Sequence, residues 1–482
     1  MTDLLKDLQP NRLWHHFESL TRIPRESGNE KAVSDFLTAF AKGLGLDVIQ
    51  EPSMNVIIKK KASTGYENHK TVIIQGHMDM VCVKEDDLEF DFGKDPIPLV
   101  IDGDLIKTKG TTLGADNGIA VAMAMAILED KTLVHPPLQV LITIAEETGM
   151  DGVMALDPAN ITGDILINLD SEEEGVLLSS CAGGVNNIIT LPITKQAASY
   201  DTAFKIVIKG LLGGHSGVEI HKRRANAIVC AGRLLYLLKT KLNFEIAGIH
   251  GGDKPNAIPK RSEVVVICSK ADTDLLRTSV SEIEHLLKNE VELSDAEVTI
   301  ELQETELPVE AYDHNSAQKT VQLLMLLPDA VQTMSAGIEG LVESSINLGI
   351  LDQNEQSLVF TSAVRSSVAS LKDMINQKIG LTCDLIGADM RLESDYPSWP
   401  FKAVSETREL MKEVYEEMFS KSLKVDALHA GLECGFLIEK VGDIDMVSLG
   451  PDLNDVHTPK ENLSISSTKR VYDFLLEVLT RI

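Results

Sequence analysis

Three short apolar runs, each followed closely by polar residues, constrain the fold of this chain most strongly. The runs cover residues 71–75, 138–144 and 165–169. They are rich in isoleucine, valine and leucine and too short for core helices, so each predicts a buried strand. Because long or helical segments separate them, we predict a largely parallel sheet covered on both faces, which is an α/β architecture.

The polar residues at the ends of these predicted strands are candidates for chemistry. In open α/β sheets, sites form beyond the carboxyl ends of the strands. The candidates are His77 and Asp79 after the first run, Glu146 and Glu147 after the second, and Asp170 after the third. Taken singly, each has an ordinary alternative, either a histidine and an acid in a surface turn or acids in a solvated loop.

Two loops supply further candidates. Asp116 lies between Gly114 and Gly118, directly before the strongly apolar run 119–128. An aspartate at that place is also typical of a helix N-cap, and the residues alone leave both interpretations open. His457 lies in a polar loop between an apolar segment and the last amphipathic run, where a single histidine usually has no special role.

Taken together, these candidates favour a metal centre. Imidazole and carboxylate groups suit zinc and similar divalent ions, whereas a structural zinc site would be expected to use cysteines. Two metal ions that share one carboxylate form the usual co-catalytic arrangement. Two divalent ions carry +4 while Asp116, Glu147 and Asp170 carry −3, so a bound hydroxide would make the cluster neutral.

Composition excludes several other classes of protein. The net charge of −28 repels nucleic acid and anionic membrane surfaces, so we expect neither as a partner. The six cysteines are scattered without a C-x-x-C pair, which argues against a disulfide framework and suits a reducing cytosol. The longest apolar run, 119–128, is shorter than the roughly 20 residues of a membrane span. We therefore predict a soluble, cytoplasmic protein.

The chain is long enough for two domains or more. The α/β pattern occupies residues 1–185 and returns at 398–482, and these segments are predicted to form one catalytic domain. Residues 186–397 carry a different, nearly repeated pattern of strands and helices, which predicts an inserted α+β domain of two similar halves. Within the second half, residues 382–389 are predicted to be a strand.

Several longer motifs resemble one family. The segments GTTLGADNG (110–118), NLDSEE (168–173), GGHSG (213–217), HAGLECG (429–435) and DVHTP (455–459) are similar to the aminoacyl-histidine dipeptidase branch of the aminoacylase/carboxypeptidase family of di-zinc metallopeptidases. The resemblance extends from about residue 12 to the C-terminus. It implies a di-zinc catalytic domain with the inserted domain as a lid.

The resemblance also implies roles for the candidates. In the implied arrangement, one zinc is bound by His77 and Asp170, the other by Glu147 and His457, and Asp116 bridges the two ions. Glu146 is the general base, and Asp79 is the acid that lies behind the ligands.

In the lid, the resemblance implies that His215 stabilises the oxyanion and that Asn256, Arg365 and Gly431 bind the substrate. Without the resemblance, His215 would be an ordinary loop histidine and Arg365 equally well the partner in a surface salt bridge.

The implied function is metal-dependent hydrolysis of unblocked dipeptides, including Xaa-His dipeptides such as carnosine, by zinc-activated water and a glutamate base. The implied cofactors are two Zn²⁺ per subunit, with Co²⁺ or Mn²⁺ as substitutes. A homodimer is compatible with this interpretation but not required for catalysis. In simpler members of the family the lid of the partner subunit contributes the histidine, and here the second half of the lid can replace it. The alternatives are an N-acyl amino-acid deacylase, a carboxypeptidase, or an inactive metal-binding scaffold.

Overall fold

A computed structural model describes residues 4–482 of the chain and divides it into two compact units. The first unit contains the residues up to Ser180, together with Phe401–Ala427 and Leu432–Ile482. The second contains Cys181–Pro400 and Leu428–Gly431.

Helices and strands follow one another in three segments of the chain. The first segment contains α1 (Asn11–Leu20), α2 (Lys31–Gly43), β1 (Asp47–Gln50), β2 (Val56–Lys60), β3 (Val72–His77), β4 (Val100–Asp102), β5 (Leu105–Lys107), α3 (Ala115–Glu129), β6 (Leu138–Thr143), α4 (Glu146–Gly149), α5 (Asp151–Ala155), β7 (Ile165–Asn168) and β8 (Val176–Cys181). The middle segment contains β9 (Gly183–Pro192), β10 (Lys195–Ala197), β11 (Thr202–Lys209), β12 (Gly214–His215), α6 (Ala227–Lys239), β13 (Phe244–Gly251), β14 (Ala257–Ile258), β15 (Ser262–Cys268), α7 (Thr273–Glu290), β16 (Thr299–Thr305), β17 (Glu310–Tyr312), α8 (His314–Leu326), β18 (Ala330–Met334), β19 (Val342–Gln353), β20 (Ser357–Ser366), α9 (Ala369–Ile386) and β21 (Asp389–Tyr396). The last segment contains α10 (Glu406–Phe419), β22 (Lys424–Leu428), α11 (Glu433–Val441), β23 (Asp445–Ser448), β24 (Leu453–Asn454), β25 (Asn462–Ser464) and α12 (Ile465–Arg481).

The first unit is built on an eight-stranded sheet in the order β1-β2-β6-β3-β7-β23-β8-β22. Its central strands β6, β3, β7 and β23 are parallel, whereas β1–β2, β2–β6 and β23–β8 are antiparallel pairs. The three apolar runs form β3, β6 and β7, and every residue of these strands is buried. The predicted α/β class is confirmed, with a parallel centre and antiparallel flanks.

Helix α3 is buried along almost its whole length. Residues 117–128 are all buried, and the helix contacts α1 and β3. A helix that is apolar on every side must lie inside a protein rather than on its surface. This helix therefore fixes the loop before it against the core of the first unit.

The structure gives the burial of the cysteines and the length and polarity of the helices. Five of the six cysteines are buried, and Cys82 is half-buried. Among residues 4–482, every helix is either too short or too polar to cross a bilayer.

The second unit contains a sheet whose two halves have the same topology. Strands and helices β11-α6-β13-β15-α7-β16 form one βαββαβ half, and β9-α8-β19-β20-α9-β21 form the other, with the first half inserted between β9 and α8. The strand orders β16-β11-β15-β13 and β19-β20-β9-β21 mirror each other, and the halves join where Gly251 pairs with Leu351. The predicted doubling of the inserted α+β region is thus confirmed.

The predicted strand at 382–389 is wrong. Helix α9 continues to Ile386, and the strand that follows is β21. Buried apolar residues continue at helical spacing across this stretch, and a left-handed Gly387 with φ of 80° ends the helix. These buried residues are Ile375, Ile379, Cys383 and Ile386.

The units divide at slightly different places from the boundaries at 186 and 397. Backbone hydrogen bonds in both directions join Cys181 and Trp399 at 3.0 and 3.1 Å. The amide of Ala182 also donates to the carbonyl of Leu428 at 3.0 Å, which places residues 428–431 in the second unit.

Candidate metal centre

Asp116 lies at the centre of a cluster of imidazoles and carboxylates in the first unit. Its Oδ1 is 3.2 Å from Nε2 of His77, and its Oδ2 is 3.1 Å from Nε2 of His457. Asp170 Oδ1 lies 3.5 Å from the same His77 nitrogen, and Glu147 lies 2.9 Å from the same His457 nitrogen. The cluster is therefore two three-residue groups that share one carboxylate, with the ligand atoms of each group within 4.8 Å of one another.

The sheet and its loops bring these residues together. His77 ends β3, Asp170 follows β7 by two residues, and Glu147 lies in the short helix α4 after β6. Because β6, β3 and β7 are parallel neighbours, their carboxyl ends meet at one edge of the sheet. Asp116 comes from the first turn of α3, and His457 from the loop between β24 and β25.

Asp79 supports this edge from behind. Its Oδ1 is 3.2 Å from Nδ1 of His77, and its carboxylate accepts hydrogen bonds from Ser27 Oγ and from the amides of Glu146 and Glu147. Burial works to raise the pKa of Asp79, but the contacts with His77 and Ser27 outweigh it and hold the pKa below its usual value. An ionised Asp79 therefore orients the histidine ring and the α4 turn together.

The cluster favours positive charge at its two imidazoles. Hydrogen bonds to Asp116 and Glu147 raise the pKa of His457 to about 11. Burial works to lower the pKa of His77, but Asp170 and Asp116 hold it well above its usual value. Burial raises the pKa values of Glu147 and Asp170, and the nearby Asp116 carboxylate adds to both shifts. The carboxylates therefore need compensating cations, either protons on the imidazoles or bound metal ions.

The residues present fit a pair of divalent metal ions. The donors are three carboxylates and two imidazoles, a set that suits zinc and similar ions. Asp116 offers one oxygen to each group, which is the arrangement expected of a bridging carboxylate.

Glu146 lies beside the cluster and is suited to proton transfer. Its carboxylate can reach the same centre as His77 and Glu147. Burial raises the pKa of Glu146 well above its ordinary value. A carboxyl group with a raised pKa can both accept and return a proton near neutral pH.

Sequence reasoning missed four residues around the cluster, the buried Arg25, Glu433 and Glu461 and the half-buried Ser27. Ser27 donates to Asp79 at 2.7 Å, and the fully buried Glu433 accepts a hydrogen bond from Thr143 at 2.6 Å and another from Gln75. Arg25 and Glu461 hold the loop of Asp116 and are described below. Glu433 and Glu461 stand inside or next to recognisable motifs, but nothing in the sequence distinguishes Arg25 and Ser27 from surface residues.

In the second unit, His215 is held as a neutral hydrogen-bond donor. Its Nδ1 accepts hydrogen bonds from the amides of Gly217 and Val218, both at 3.2 Å, so the ring proton is on Nε2. Burial lowers the pKa of His215, and the positive charge of Arg365 adds to the effect. The imidazole therefore stays neutral, with an Nε2–H available for a further partner.

Arg365 and Asn256 line one cavity of about 310 Å³ in the second unit, together with Tyr396. Arg365 Nη1 donates to the hydroxyl of Tyr396 at 2.6 Å. The hydrogen-bond partner of this guanidinium is therefore a neutral phenol rather than a carboxylate. Gly431 lies in the short segment 428–431 of the same unit and does not line this cavity.

Comparison with known proteins identifies the family. The chain is 36% identical over 480 residues to the cytosol non-specific dipeptidase of Escherichia coli, and the matched region covers 99% of each protein. It matches the crystal structure of aminoacylhistidine dipeptidase from Vibrio alginolyticus with a TM-score of 0.95 and 35% identity, over 99% of this chain and 98% of that one.

A more distant match shows the fold alone. An M20 family metallo-carboxypeptidase from Sulfolobus solfataricus has a TM-score of 0.52 and 13% identity, over 97% of this chain and 98% of that one. Residues 206–294 also match the model of the peptidase dimerisation domain of this family. The two relatives that match nearly the whole chain, together with this domain match, confirm the resemblance inferred from the motifs. The chain belongs to the M20 family of metallopeptidases.

Proposed function

We propose that this protein is a metal-dependent dipeptidase that uses two zinc ions, with Glu146 as its general base. The observation that carries the proposal is the position of Asp116, whose two oxygens face two different histidine-carboxylate groups. One ion would be held by His77 and Asp170 and the other by Glu147 and His457, while Asp116 serves both. Co²⁺ or Mn²⁺ would substitute for zinc, since the ligands are nitrogen and oxygen only.

The chemistry divides between the ions and the side chains. When bound, the ions supply Lewis acidity and lower the pKa of a coordinated water toward neutrality. Glu146 takes the proton from the attacking water and returns it to the leaving amine, a role supported by its raised pKa. Asp79 keeps His77 and the amides of Glu146 and Glu147 in place.

The second unit supplies groups that recognise the substrate. His215 donates its Nε2–H to the oxyanion that develops on the scissile carbonyl, a role supported by its neutral tautomer. Arg365 binds the terminal carboxylate of the dipeptide, and its lack of a carboxylate partner within the described residues supports this role. Asn256, which lines the same cavity, also holds the substrate. The backbone N–H groups that begin at Gly431 bind the same terminal carboxylate.

The substrates we propose are unblocked dipeptides, with Xaa-His dipeptides such as carnosine among them. Support comes from the two relatives that match nearly the whole chain, which are named a cytosol non-specific dipeptidase and an aminoacylhistidine dipeptidase. The first of these relatives also supports a cytoplasmic location for this protein.

Metal analysis combined with a substrate panel tests the function. Purified protein should contain two zinc ions per chain and hydrolyse free dipeptides faster than N-acyl amino acids or longer peptides. Glu146→Gln should keep its zinc and lose turnover, whereas Glu129→Gln, which alters an ion pair with Arg12 and a hydrogen bond with His16, should leave both unchanged. Protein without metal, or full turnover in Glu146→Gln, would contradict the assignment.

We further propose that a homodimer, where it forms, is not required for catalysis. The two mirrored halves of the second unit support this, because one chain already contains both. A mixture of His215→Ala and Glu146→Gln chains should therefore stay inactive. Recovery of activity in the mixture would show that subunits share the site.

A further inference from the structure

The carboxylate of Glu461 is enclosed by the loop that carries Asp116. Its Oε2 accepts hydrogen bonds from the amides of Leu113 and Gly114 at 2.7 and 3.0 Å. Its Oε1 accepts hydrogen bonds from the amides of Ala115 and Asp116 at 2.8 and 3.3 Å. Glu461 is only 2% exposed, so bulk solvent hardly reaches its carboxylate.

Four consecutive amides that point at one carboxylate fix the shape of the loop. Leu113 and Gly114 precede α3, and Ala115 and Asp116 open it, where the first amides of a helix have no partner within the helix. An ionised carboxylate can accept all four hydrogen bonds, because each oxygen has two lone pairs. Hydrogen bonds to a charged acceptor are about twice as strong as neutral ones. Any displacement of Asp116 along the loop would therefore break several of them at once.

Arg25 holds the same loop from its carbonyl side. Its Nη2 donates to the carbonyl of Gly114, and its Nη1 donates to the carbonyls of Met78 and Asp79, both at 3.1 Å. Gly114 has a φ of 69°, and a Cβ added there would collide with Arg25, so the close approach requires glycine. The buried arginine thus ties the Asp116 loop to the strand end that carries His77.

Glu461 lies four residues after His457, in the same segment between β24 and β25. One side chain therefore connects the segment of His457 directly to the loop of Asp116. We propose that Glu461 is a positioning residue that fixes Asp116 between the two ligand groups and thereby sets the affinity of both metal ions. This inference rests on the ligand set of the proposed function.

Glu461→Gln tests the inference with metal affinity as the readout. Glutamine keeps the shape but offers one oxygen, and its amide group would place N–H donors against backbone N–H donors. Loss of groups that orient metal ligands typically weakens metal binding by about 10–100-fold. We expect that loss for both zinc ions, measured as dissociation constants by competition with a chromophoric chelator.

Glu51→Gln is the matched control. Glu51 is also a buried glutamate of the first unit, 6% exposed, and accepts hydrogen bonds from the amide of Asp157 and the side chains of Asn55 and Asn160. Its replacement should lower the thermal stability of the metal-free protein while leaving both zinc dissociation constants unchanged.

The outcomes separate this inference from the proposed function. Wild-type zinc affinity in folded Glu461→Gln, or an equal loss in Glu51→Gln, would overturn the positioning role. If Glu461→Gln does not fold, Glu461→Asp decides by the same titration, since its shorter side chain cannot reach all four amides. If Asp116→Ala keeps both ions, the proposed ligand set itself has failed, whatever Glu461 does.

Discussion

Replacement of Asp116 by alanine should remove both metal ions, although only one residue changes. The two oxygens of Asp116 face different groups, at 3.2 Å from His77 and 3.1 Å from His457. His457→Ala removes a nitrogen from one group only and leaves His77 and Asp170 with their shared carboxylate. The two variants should therefore differ in the number of ions that they lose.

The expected size follows from the link between binding and stability. An ion present at 100 times its dissociation constant stabilises the folded protein by about 2.7 kcal/mol, so two ions contribute about 5 kcal/mol. For a unit of this size, 1 kcal/mol changes Tm by about 2–4 °C. Zinc should then raise the Tm of the wild-type first unit by roughly 10–20 °C, that of His457→Ala by about half as much, and that of Asp116→Ala hardly at all.

The assay compares thermal unfolding with and without added zinc, next to the metal content of each purified variant. The zinc-dependent shift is the quantity to compare, because Asp116→Ala also changes the repulsion among carboxylates in the metal-free protein. A wild-type zinc shift in Asp116→Ala, or one retained ion in that variant, would refute the bridging role.

Three other predictions test separate parts of the molecule. Glu146→Gln should lower kcat/KM by about 10²–10⁴-fold at unchanged zinc content, because the general base is lost. Tyr396→Phe should raise KM for dipeptides by about 10-fold, the equivalent of one lost hydrogen bond of about 1.4 kcal/mol to Arg365, and should leave dipeptide amides unaffected. Burial raises the pKa of Asp329 from 3.8 to about 6, so the folded protein binds a proton there that the unfolded chain releases. Stability should therefore fall by about 2.4 kcal/mol between pH 4 and pH 7 relative to Asp329→Asn, as measured by urea unfolding.

Each of these three predictions has a result that would contradict it. Zinc loss in Glu146→Gln would make that residue a ligand rather than a base. An equal rise of KM for dipeptides and their amides in Tyr396→Phe would separate Arg365 from carboxylate recognition. Parallel pH profiles of the wild type and Asp329→Asn would show that this carboxyl group titrates normally in the folded protein.

The sequence predicted the elements whose pattern is local. The runs that became β3, β6 and β7 are apolar throughout because both faces of each strand are covered, and that property is visible residue by residue. The prediction was wrong at residues 382–389, where α9 continues to Ile386 although its side chains also suit a strand. Local preference could not decide there, because packing of the buried positions against the sheet selects the helix.

The role of Glu461 in the site could not be predicted from the sequence. Its four hydrogen bonds join residues about 345 positions apart, and no spacing rule covers that separation. The same holds for Arg25, which reaches across 89 residues to Gly114. Such contacts depend on how the whole first unit is folded.

By itself, the sequence determined which side chains stand at the ends of the central strands. Parallel neighbours must end at one edge of a sheet, so His77, Glu147 and Asp170 had to lie near one another. Only the tertiary structure decided that Asp116 presents one oxygen to each histidine, because that geometry depends on loops held by distant residues. It also decided the mirrored order of the second sheet, since strand order depends on long-range pairing that composition and periodicity do not encode.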